Sequence, residues 1–487
     1  MAPCAKLLAT AVAAAVGVAT AAAVSPSAGA LADLRRRMAV SGGRPAATAD
    51  ASGGGPHHRA LQAAGGNETV YIMTRDGVAL RTLLFFPPVF SPTAPVTPAV
   101  YQRTPYNADG LAGSCQGYAA SGYVCAAQDF RGRFLSNGSF DFWRSSGNDS
   151  ADTMAWLVSQ PWSNGRVGTT GVSADGIADY VQPLAAPAPP PPLAVQFNVV
   201  SMGVLHEMTF QGGGYLENLI SGWLAANNIS WYVPVVEAQE AWNTAYWAPI
   251  DYNWGPRWAD YNVPAVHMAG FWDIFSTTQW NTVASIMSGG GSAARGSQWL
   301  VIDAGGHCGG GAITWPNATW GLGLAMAFAD ALFADVLGLN TSAGSAYALQ
   351  HRAGDAVVDA DTARRLMAAY TYVWYVMGPG DLLSTGNFWV GAATFPAANM
   401  TAVYLNADDK SLALTPPTSA YAPVAFAVDP SLPLPTVGGN NLLIQCGPQD
   451  QAPLEAQRPD EMVLFTSAPL DSAVGVRRDG SHSVAPA

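Results

Sequence analysis

The sequence predicts an α/β protein with a mostly parallel sheet, followed by a smaller all-β domain. Between residues 68 and 340, short apolar runs alternate with segments of helical pattern. From residue 370 onward, short strands punctuated by proline and glycine follow one another without helices. Apolar strands separated by helices are typical of parallel sheets covered on both faces. Strands without helices indicate an antiparallel sandwich or jelly roll.

The first 32 residues have the order of a secretory signal peptide. Lys6 is an early positive charge, an alanine-rich apolar run follows, and small residues precede cleavage sites after Ala30 or Ala32. An uncleaved membrane anchor is the alternative for so long an apolar run. We expect cleavage, because the run is only weakly hydrophobic. Residues 33–67 are rich in glycine, alanine and serine, which predicts a disordered linker.

Sequons and cysteines fit a secreted or endomembrane glycoprotein. Asn-x-Ser/Thr sequons stand at Asn67, Asn137, Asn148, Asn228, Asn317, Asn340 and Asn399. Cysteines beyond the signal peptide are Cys115, Cys125, Cys308 and Cys446. One or two disulfides and four buried thiols fit this set equally well.

Charge and spacing exclude two classes of partner. The net charge of −12, with no basic run beyond residues 35–37, argues against a nucleic-acid partner. No Cys/His spacing predicts a zinc site, and the stretch HEMTF at residues 206–210 lacks the second histidine of H-E-x-x-H. We therefore expect no metal.

The predicted core is interrupted once. Residues 68–202 form its first part and residues 263–340 its second, with a Trp/Tyr/Asn-rich helical insertion at 203–262. The insertion is placed to act as a lid. A linker at 341–369 and a β domain at 370–487 follow. Strands are predicted at 68–88 as a hairpin, then at 98–103, 122–129, 166–172, 193–200, 263–270 and 297–303, with a helix at 149–160.

Ser173 lies in GVSADG, between a predicted strand and a predicted helix. A nucleophile elbow requires this context, because a sharp turn lifts the hydroxyl off the sheet toward a helix N-terminus. The G-x-S-x-G pattern is missed, since Asp175 occupies the position of the second glycine and Gly176 follows one residue later. An ordinary turn with a capping serine fits this motif equally well.

Chain order selects partners for Ser173. In elbow hydrolases an acid and then a histidine follow the serine, each after a later strand. His307 is the one histidine that follows a core strand closely, in the glycine-rich loop AGGHCGGG. Asp273 follows the preceding strand; Asp303 is a rival, but it is very close to His307 in sequence. A solvent-facing loop histidine and an N-cap aspartate are the bland alternatives.

Two groups are candidates for an oxyanion hole. One is the backbone N–H of Ala174, directly after the serine. The other is Tyr106 in the loop TPYNADG after strand 98–103, since its hydroxyl can donate a hydrogen bond. A tyrosine in an ordinary turn is the alternative. The positions of the serine, of its acid and histidine partners and of the oxyanion candidates all agree with a hydrolase, and together they favour an enzyme.

These residues resemble the cocaine esterase and X-Pro dipeptidyl-peptidase family (CocE/NonD hydrolases). The resemblance rests on a tyrosine loop, a D-x-R-G strand end, a D-x-x-x-W-L helix, a P-W-x-N-G-x-V-G strand and a G-x-S-x-x-G elbow, in this order. It implies that the late Gly176 is the family's own pattern. It also implies an α/β-hydrolase core, a helical cap and a C-terminal jelly roll.

The resemblance implies Ser173 as nucleophile, Asp273 as acid and His307 as base, with Tyr106 and Ala174 at the oxyanion. Phe275 matches an aromatic side chain that lines the acyl pocket. Three departures stand out: Ala174 replaces the family's usual tyrosine, AGGH replaces G-P-W-x-H, and the jelly roll is shorter than the family's.

The expected function is hydrolysis of an acyl ester, amide or X-Pro dipeptidyl peptide bond without a cofactor. The peptidase activity requires an acidic acceptor for the substrate ammonium, for which Glu207, Glu237 and Glu240 are candidates. A different hypothesis is a non-catalytic glycosylated binding protein on an inactivated hydrolase scaffold. The shortened C-terminal domain and the altered histidine loop motivate it.

Overall fold

The computed structural model describes most of the chain between residues 65 and 469. The predicted signal peptide and nearly all of the linker at 33–67 lie outside the described residues, as does the predicted linker up to residue 357. The described ranges are 65–185, 192–255, 257–307, 311–316, 318, 320–339, 358–379, 386–395, 402–417, 423–442 and 446–469.

Ten strands form one mixed sheet, and most of the helices lie around it. The strands of this sheet are β1 Asn67–Met73, β2 Ala79–Phe85, β3 Thr97–Thr104, β4 Val124–Asp129, β5 Ser163–Val172, β6 Leu193–Val199, β9 Ala265–Trp272, β10 Gln298–Gly306, β11 Tyr372–Val376 and β12 Phe388–Ala392. Helices in the same region are α1 Ala112–Ala120, α2 Ser146–Ser159, α3 Ala174–Val181, α7 Ser276–Gly289, α8 Trp320–Leu337 and α9 Ala360–Ala369.

The sheet order is β1-β2-β4-β3-β5-β6-β9-β10-β11-β12. Neighbours from β4 to β11 are parallel, whereas β1–β2, β2–β4 and β11–β12 are antiparallel. Every residue of β3 and β4 is buried, as expected for strands covered on both faces. The prediction of a mostly parallel α/β sheet is confirmed.

Helix α8 is the long apolar helix of the core. Its Leu324 and Phe328 pack with Val195, Val266 and Val301 of three strands. In the part of the chain that the structure describes, α8 is the one helix long and apolar enough to cross a membrane, yet 67% of that window is buried. Packing against the sheet identifies it as a core helix of the fold.

Residues 203–262 are less regular than predicted. They contain the short helices α4 Leu205–Thr209, α5 Glu217–Ala226 and α6 Val233–Glu237, together with the two-residue strands β7 Phe210–Gln211 and β8 Gly214–Tyr215. Aromatic side chains supply most of the packing. Side chains from residues 203–262 form one buried cluster with Phe130, Phe140, Trp143 and the start of α3.

The region after residue 370 differs from the prediction. β11 pairs in parallel with β10 through Leu300 and Tyr372, and β12 pairs with β11. Both strands therefore belong to the main sheet, not to a separate β domain. Helix α9 likewise lies inside the segment predicted as a linker. Local composition indicates a strand, but it does not say which sheet completes that strand's hydrogen bonds.

The described residues beyond β12 hold little regular structure. A three-stranded sheet is formed by β13 Tyr404–Asn406, β14 Ser411–Ala413 and β15 Thr466–Ser467, and a short helix, α10, covers Ala452–Gln457. These described residues do not form a jelly roll. Beyond β12, the jelly-roll domain predicted for residues 370–487 therefore stays a prediction.

One disulfide joins Cys115 on α1 to Cys125 on β4, and both cysteines are fully buried. Cys446 carries a free thiol. Cys308 lies outside the described residues. The disulfide ties the helix after the Tyr106 loop to the neighbouring strand.

Gly132 of the D-x-R-G motif is expected to be essential for folding. Its φ is +68°, and a Cβ there would overlap the backbone of Ser139 and Phe140. We expect Gly132→Ala to lower the free energy of unfolding by about 3 kcal/mol or more, measured by urea denaturation.

Gly165 is the matched control, because its φ is also positive, at +83°, but a Cβ added there would meet nothing within 4 Å. Gly165→Ala should cost only about 1 kcal/mol. Equal costs would contradict the steric explanation.

Candidate active site

Ser173 occupies a strained turn between β5 and α3. Its φ of 59° and ψ of −122° lie in a region that non-glycine residues rarely adopt. The turn is held by two backbone hydrogen bonds, from Ser173 N to Val199 O at 2.9 Å and from Ile177 N to Ser173 O at 2.9 Å. This geometry lifts the hydroxyl above the carboxyl ends of the strands.

The spacing of the glycines follows from this turn. A Cβ on Gly171 would overlap the Asp175 backbone, and a Cβ on Gly176 would overlap the Ser201 side chain and lie 2.8 Å from Gly171 O. The elbow therefore needs its second small residue at 176, where α3 crosses the end of β5. The position two residues after the serine has room for a side chain, and Asp175 occupies it.

His307 follows β10 and lies between Ser173 and Asp273. Its Nε2 is 2.7 Å from Ser173 Oγ, and its Nδ1 is 2.7 Å from Asp273 Oδ2. The histidine is 5% exposed and the aspartate is fully buried. With Nδ1–H donating to the carboxylate, Nε2 is left as the acceptor for the serine proton.

Asp273 is held by its own loop and by a residue far along the chain. Its Oδ1 accepts a 2.7 Å hydrogen bond from Phe275 N, and its backbone carbonyl accepts one of 2.7 Å from Asn440 Nδ2. Phe275 also packs edge-on against the His307 ring at 5.2 Å. The carboxylate and the imidazole are thus fixed in one orientation.

Among the described contacts, no hydrogen bond or ion pair joins the rival acid Asp303 to His307, whose Nδ1 is paired with Asp273. Asp303 Oδ1 accepts a 2.8 Å hydrogen bond from Gly305 N within its own loop. Burial raises the pKa of this carboxyl to about 7.

In the part of the chain that the structure covers, no group of three or more His, Cys, Asp and Glu side chains is arranged to hold a metal ion.

Tyr106 lies beside Ser173 on the loop after β3. Its hydroxyl oxygen accepts a 2.7 Å hydrogen bond from Trp223 Nε1 and also interacts with Ser173. Burial raises the pKa of the phenol above its ordinary value, with the Trp223 hydrogen bond opposing the shift. The group is therefore an O–H donor at neutral pH. Ala174, the first residue of α3, places its backbone N–H at the same turn.

The Tyr106 loop is anchored to the end of β4. Asp129 Oδ1 accepts a 2.7 Å hydrogen bond from Ala108 N, and Asp129 Oδ2 forms an ion pair with Arg81 Nη1 at 3.2 Å. Arg133 Nε donates to Pro105 O at 3.0 Å. These contacts explain the aspartate of the D-x-R-G motif, because its side chain positions the loop that carries the tyrosine.

A small apolar cavity opens beside Ser173. None of the described side chains that line it is charged. Trp143 forms one wall, stacks on Trp223 at 5.2 Å, and donates from Nε1 to Ala174 O at 3.0 Å. The other lining residues are Phe142, Ile177, Met208, Leu219, Ile220, Ile274, Phe275 and Leu442.

The structure brings all six residues singled out from the sequence to this one place. Trp143, Trp223 and Asn440 were missed. The tryptophan content of the insertion was a signal that its side chains pack near the site, but no spacing identified Trp223. Asn440 has no sequence signal, because its contact depends on how residues beyond the main sheet lie against the Asp273 loop.

The chain is similar to known hydrolases. Residues 76–245 match the family described as X-Pro dipeptidyl-peptidase (S15 family). Cocaine esterase from Rhodococcus sp. (strain MB1 Bresler) is 34% identical over 117 residues, which is 23% of this chain and 20% of that protein. The chain thus matches about a fifth of the length of this curated relative.

Solved structures of related hydrolases share the fold. One is an alpha-amino acid ester hydrolase labelled with selenomethionine, with a TM-score of 0.53 and 21% identity, covering 81% of this chain and 68% of that one. Another is a CocE/NonD family hydrolase from Staphylococcus aureus, with a TM-score of 0.52 and 16% identity, covering 72% and 59%. At these identities the likeness concerns the α/β-hydrolase fold.

Proposed function

We propose that this chain is a member of the cocaine esterase and X-Pro dipeptidyl-peptidase family and a serine hydrolase that uses Ser173, His307 and Asp273 as its catalytic triad. The observation that carries the proposal is the hydrogen-bonded series from Ser173 Oγ through His307 to Asp273, with 2.7 Å at each link. Backbone strain at Ser173 adds support, because about 1 to 3 kcal/mol of strain is retained where function requires it.

The proposed reaction passes through an acyl-enzyme. Ser173 Oγ attacks the carbonyl carbon while His307 Nε2 takes the hydroxyl proton, and Asp273 stabilises the resulting imidazolium. The Tyr106 hydroxyl and the Ala174 N–H donate to the oxyanion. The leaving group departs with the proton from His307. A water molecule, deprotonated by His307, then attacks the acyl carbon and releases the acid and Ser173.

Ester hydrolysis is the better supported of the two substrate classes. X-Pro cleavage needs a carboxylate for the substrate ammonium. Glu237 and Glu240 are exposed, and Glu207 lines a separate polar cavity with Asn253 and Asn281. The lining of the cavity at Ser173 fits an uncharged apolar acyl group, because a charged group there would lose its hydration. We propose such an ester as the substrate.

The insertion at 203–262 is proposed as a cap. Its helix α5 contributes Trp223, which donates a hydrogen bond to the Tyr106 hydroxyl, and Ile220, which lines the cavity.

The sequence also allowed a non-catalytic binding protein on an inactivated hydrolase scaffold. That hypothesis gives no role to the strained Ser173 or to its histidine partner.

Secretion through residues 1–32 and N-glycosylation remain proposals. Support comes from the described sequon asparagines Asn67, Asn137, Asn148 and Asn228, which are all exposed. The Cys115–Cys125 disulfide also fits this compartment. N-terminal sequencing and endoglycosidase treatment of the expressed protein test both; an unchanged N-terminus and mobility would contradict them.

The proposed function predicts labelling by a fluorophosphonate probe at Ser173, located by peptide mass spectrometry. Labelling should disappear in His307→Ala, because the serine then lacks its base. The enzyme should hydrolyse a short p-nitrophenyl ester at least about 100-fold faster in kcat/KM than a Gly-Pro anilide. Absence of labelling in a folded protein would refute the serine mechanism, and preference for the anilide would refute the ester assignment alone.

A further inference from the structure

A polar cavity beside the insertion has no part in the proposed mechanism. Its volume is about 530 Å³, within the roughly 300–1,000 Å³ that is typical of small-molecule pockets. It lies between α7, the inserted helix α4, the turn of the β7–β8 hairpin and the loop residues Asn253 and Trp258. The cavity shares no described lining residue with the apolar cavity at Ser173, so a ligand in it would leave the acyl pocket free.

The walls of this polar cavity carry side chains that the protein does not use for its own hydrogen bonds. They are Glu207, Gln211, Asn253, Thr277, Asn281 and Ser285. The last three are spaced by four residues, which places them along one side of α7. Among the described residues, none of these six side chains has a hydrogen-bond or ion-pair partner. Their donors and acceptors are therefore available to a ligand.

Hydrogen bonds behind the walls fix the shape of the polar cavity. Asp251 is buried, and its Oδ2 and Oδ1 accept hydrogen bonds of 2.8 Å from His206 N and Asn253 N. Gly203 N donates to Thr282 Oγ1 at 3.2 Å, which joins the segment before α4 to α7. Because the walls are ordered before a ligand arrives, less conformational entropy is lost on binding.

The polar lining favours a neutral ligand that is rich in hydroxyl groups. Amide and hydroxyl side chains each donate and accept hydrogen bonds, and so do the hydroxyl groups of a sugar. No described lining residue is a cation, and Glu207 supplies a negative charge, so an anion would be repelled. An apolar ligand would bury these polar groups without replacing their hydrogen bonds to water.

Trp258 adds an aromatic surface to the same cavity. Tyr252 stacks on its ring at 4.9 Å with an interplanar angle of 14°, which holds the indole in place. An indole offers a flat apolar surface against which the C–H groups of a sugar ring can pack. Amides, hydroxyls and an indole around one cavity are thus complementary to both the polar edge and the apolar side of a sugar.

We propose that this polar cavity is a binding site for a neutral carbohydrate of one or two sugar units. Side chains of α7 and of the insertion bond the sugar hydroxyls, and Trp258 packs against a ring. The site is distinct from Ser173 and does not depend on the proposed hydrolase function.

Isothermal titration calorimetry of the full chain with cellobiose and with maltose tests the site. We expect saturable binding of at least one of them, with a Kd of about 1 mM or tighter. Asn281→Ala should weaken that binding by about tenfold or more, because it removes a donor and an acceptor from the wall. Asn281 is exposed on α7, so the substitution leaves the core unchanged.

Ser288→Ala is the matched control. Ser288 is also exposed on α7, but it does not line the cavity, and its hydroxyl donates to Ala284 O at 2.9 Å. Its Kd should stay within about twofold of wild type. Inorganic phosphate and choline serve as the anionic and cationic probes, and both should bind more weakly than the better disaccharide.

Three results would overturn the inference. The first is binding of both disaccharides that is absent or weaker than about 1 mM in a folded protein. The second is an equal Kd in wild type and Asn281→Ala, which would place the sugar elsewhere. The third is tighter binding of phosphate or choline than of either disaccharide, which would exclude a neutral ligand. None of these results bears on Ser173, whose labelling by the fluorophosphonate probe tests the proposed function separately.

Discussion

Ser173→Ala is expected to lower kcat/KM for the preferred ester by about four to six orders of magnitude. The substitution removes the atom that forms the acyl-enzyme, while the elbow and the oxyanion donors remain. Residual turnover should come from binding and oxyanion stabilisation alone. The measurement is steady-state hydrolysis with the substrate's spontaneous hydrolysis subtracted.

Ser201→Ala is the matched control for this experiment. Ser201 is a fully buried serine next to Gly176, and its Oγ has no hydrogen-bond partner among the described residues. Removing that hydroxyl should change kcat/KM by less than about threefold. If Ser173→Ala retained activity within tenfold of wild type, another residue would have to be the nucleophile, and the function proposed above would be wrong.

The second large effect is expected for Tyr106→Phe, which should reduce kcat by about 100- to 1000-fold with little change in KM. The hydroxyl donates to charge that develops only in the transition state, so ground-state binding is nearly unaffected. The substitution also leaves Trp223 Nε1 without its acceptor. Steady-state kinetics and fluorophosphonate labelling rates measure the loss.

Tyr215→Phe is a suitable control, because Tyr215 packs beside the same aromatic cluster but its hydroxyl bonds to Ser221 Oγ at 2.8 Å. Its kcat should remain within about threefold of wild type. Equal losses in both variants would mean that Tyr106 acts through packing, and an undiminished kcat in Tyr106→Phe would exclude it as an oxyanion donor.

The candidate site was predictable because chain order in a parallel α/β sheet carries spatial information. Ser173, Asp273 and His307 each follow a strand, and parallel neighbours bring the ends of β5, β9 and β10 to one edge of the sheet. The requirement for Gly171 is equally local, because a Cβ there would overlap the Asp175 backbone within the same strand–turn–helix unit. The requirement for Gly176 is only partly local, because a Cβ there would lie close to Gly171 O but would also overlap Ser201, which follows β6.

Contacts between distant segments were not predictable in this way. Strand propensity identified Tyr372–Val376, but pairing with β10 depends on which edge of the sheet was left open. Trp223 and Asn440 reach the site from segments with no periodic relation to it. Local sequence determines turns, strand character and residue order, because those depend on nearby atoms. Pairing and side-chain contact depend on packing free energy summed over the whole domain, so only the tertiary structure decides them.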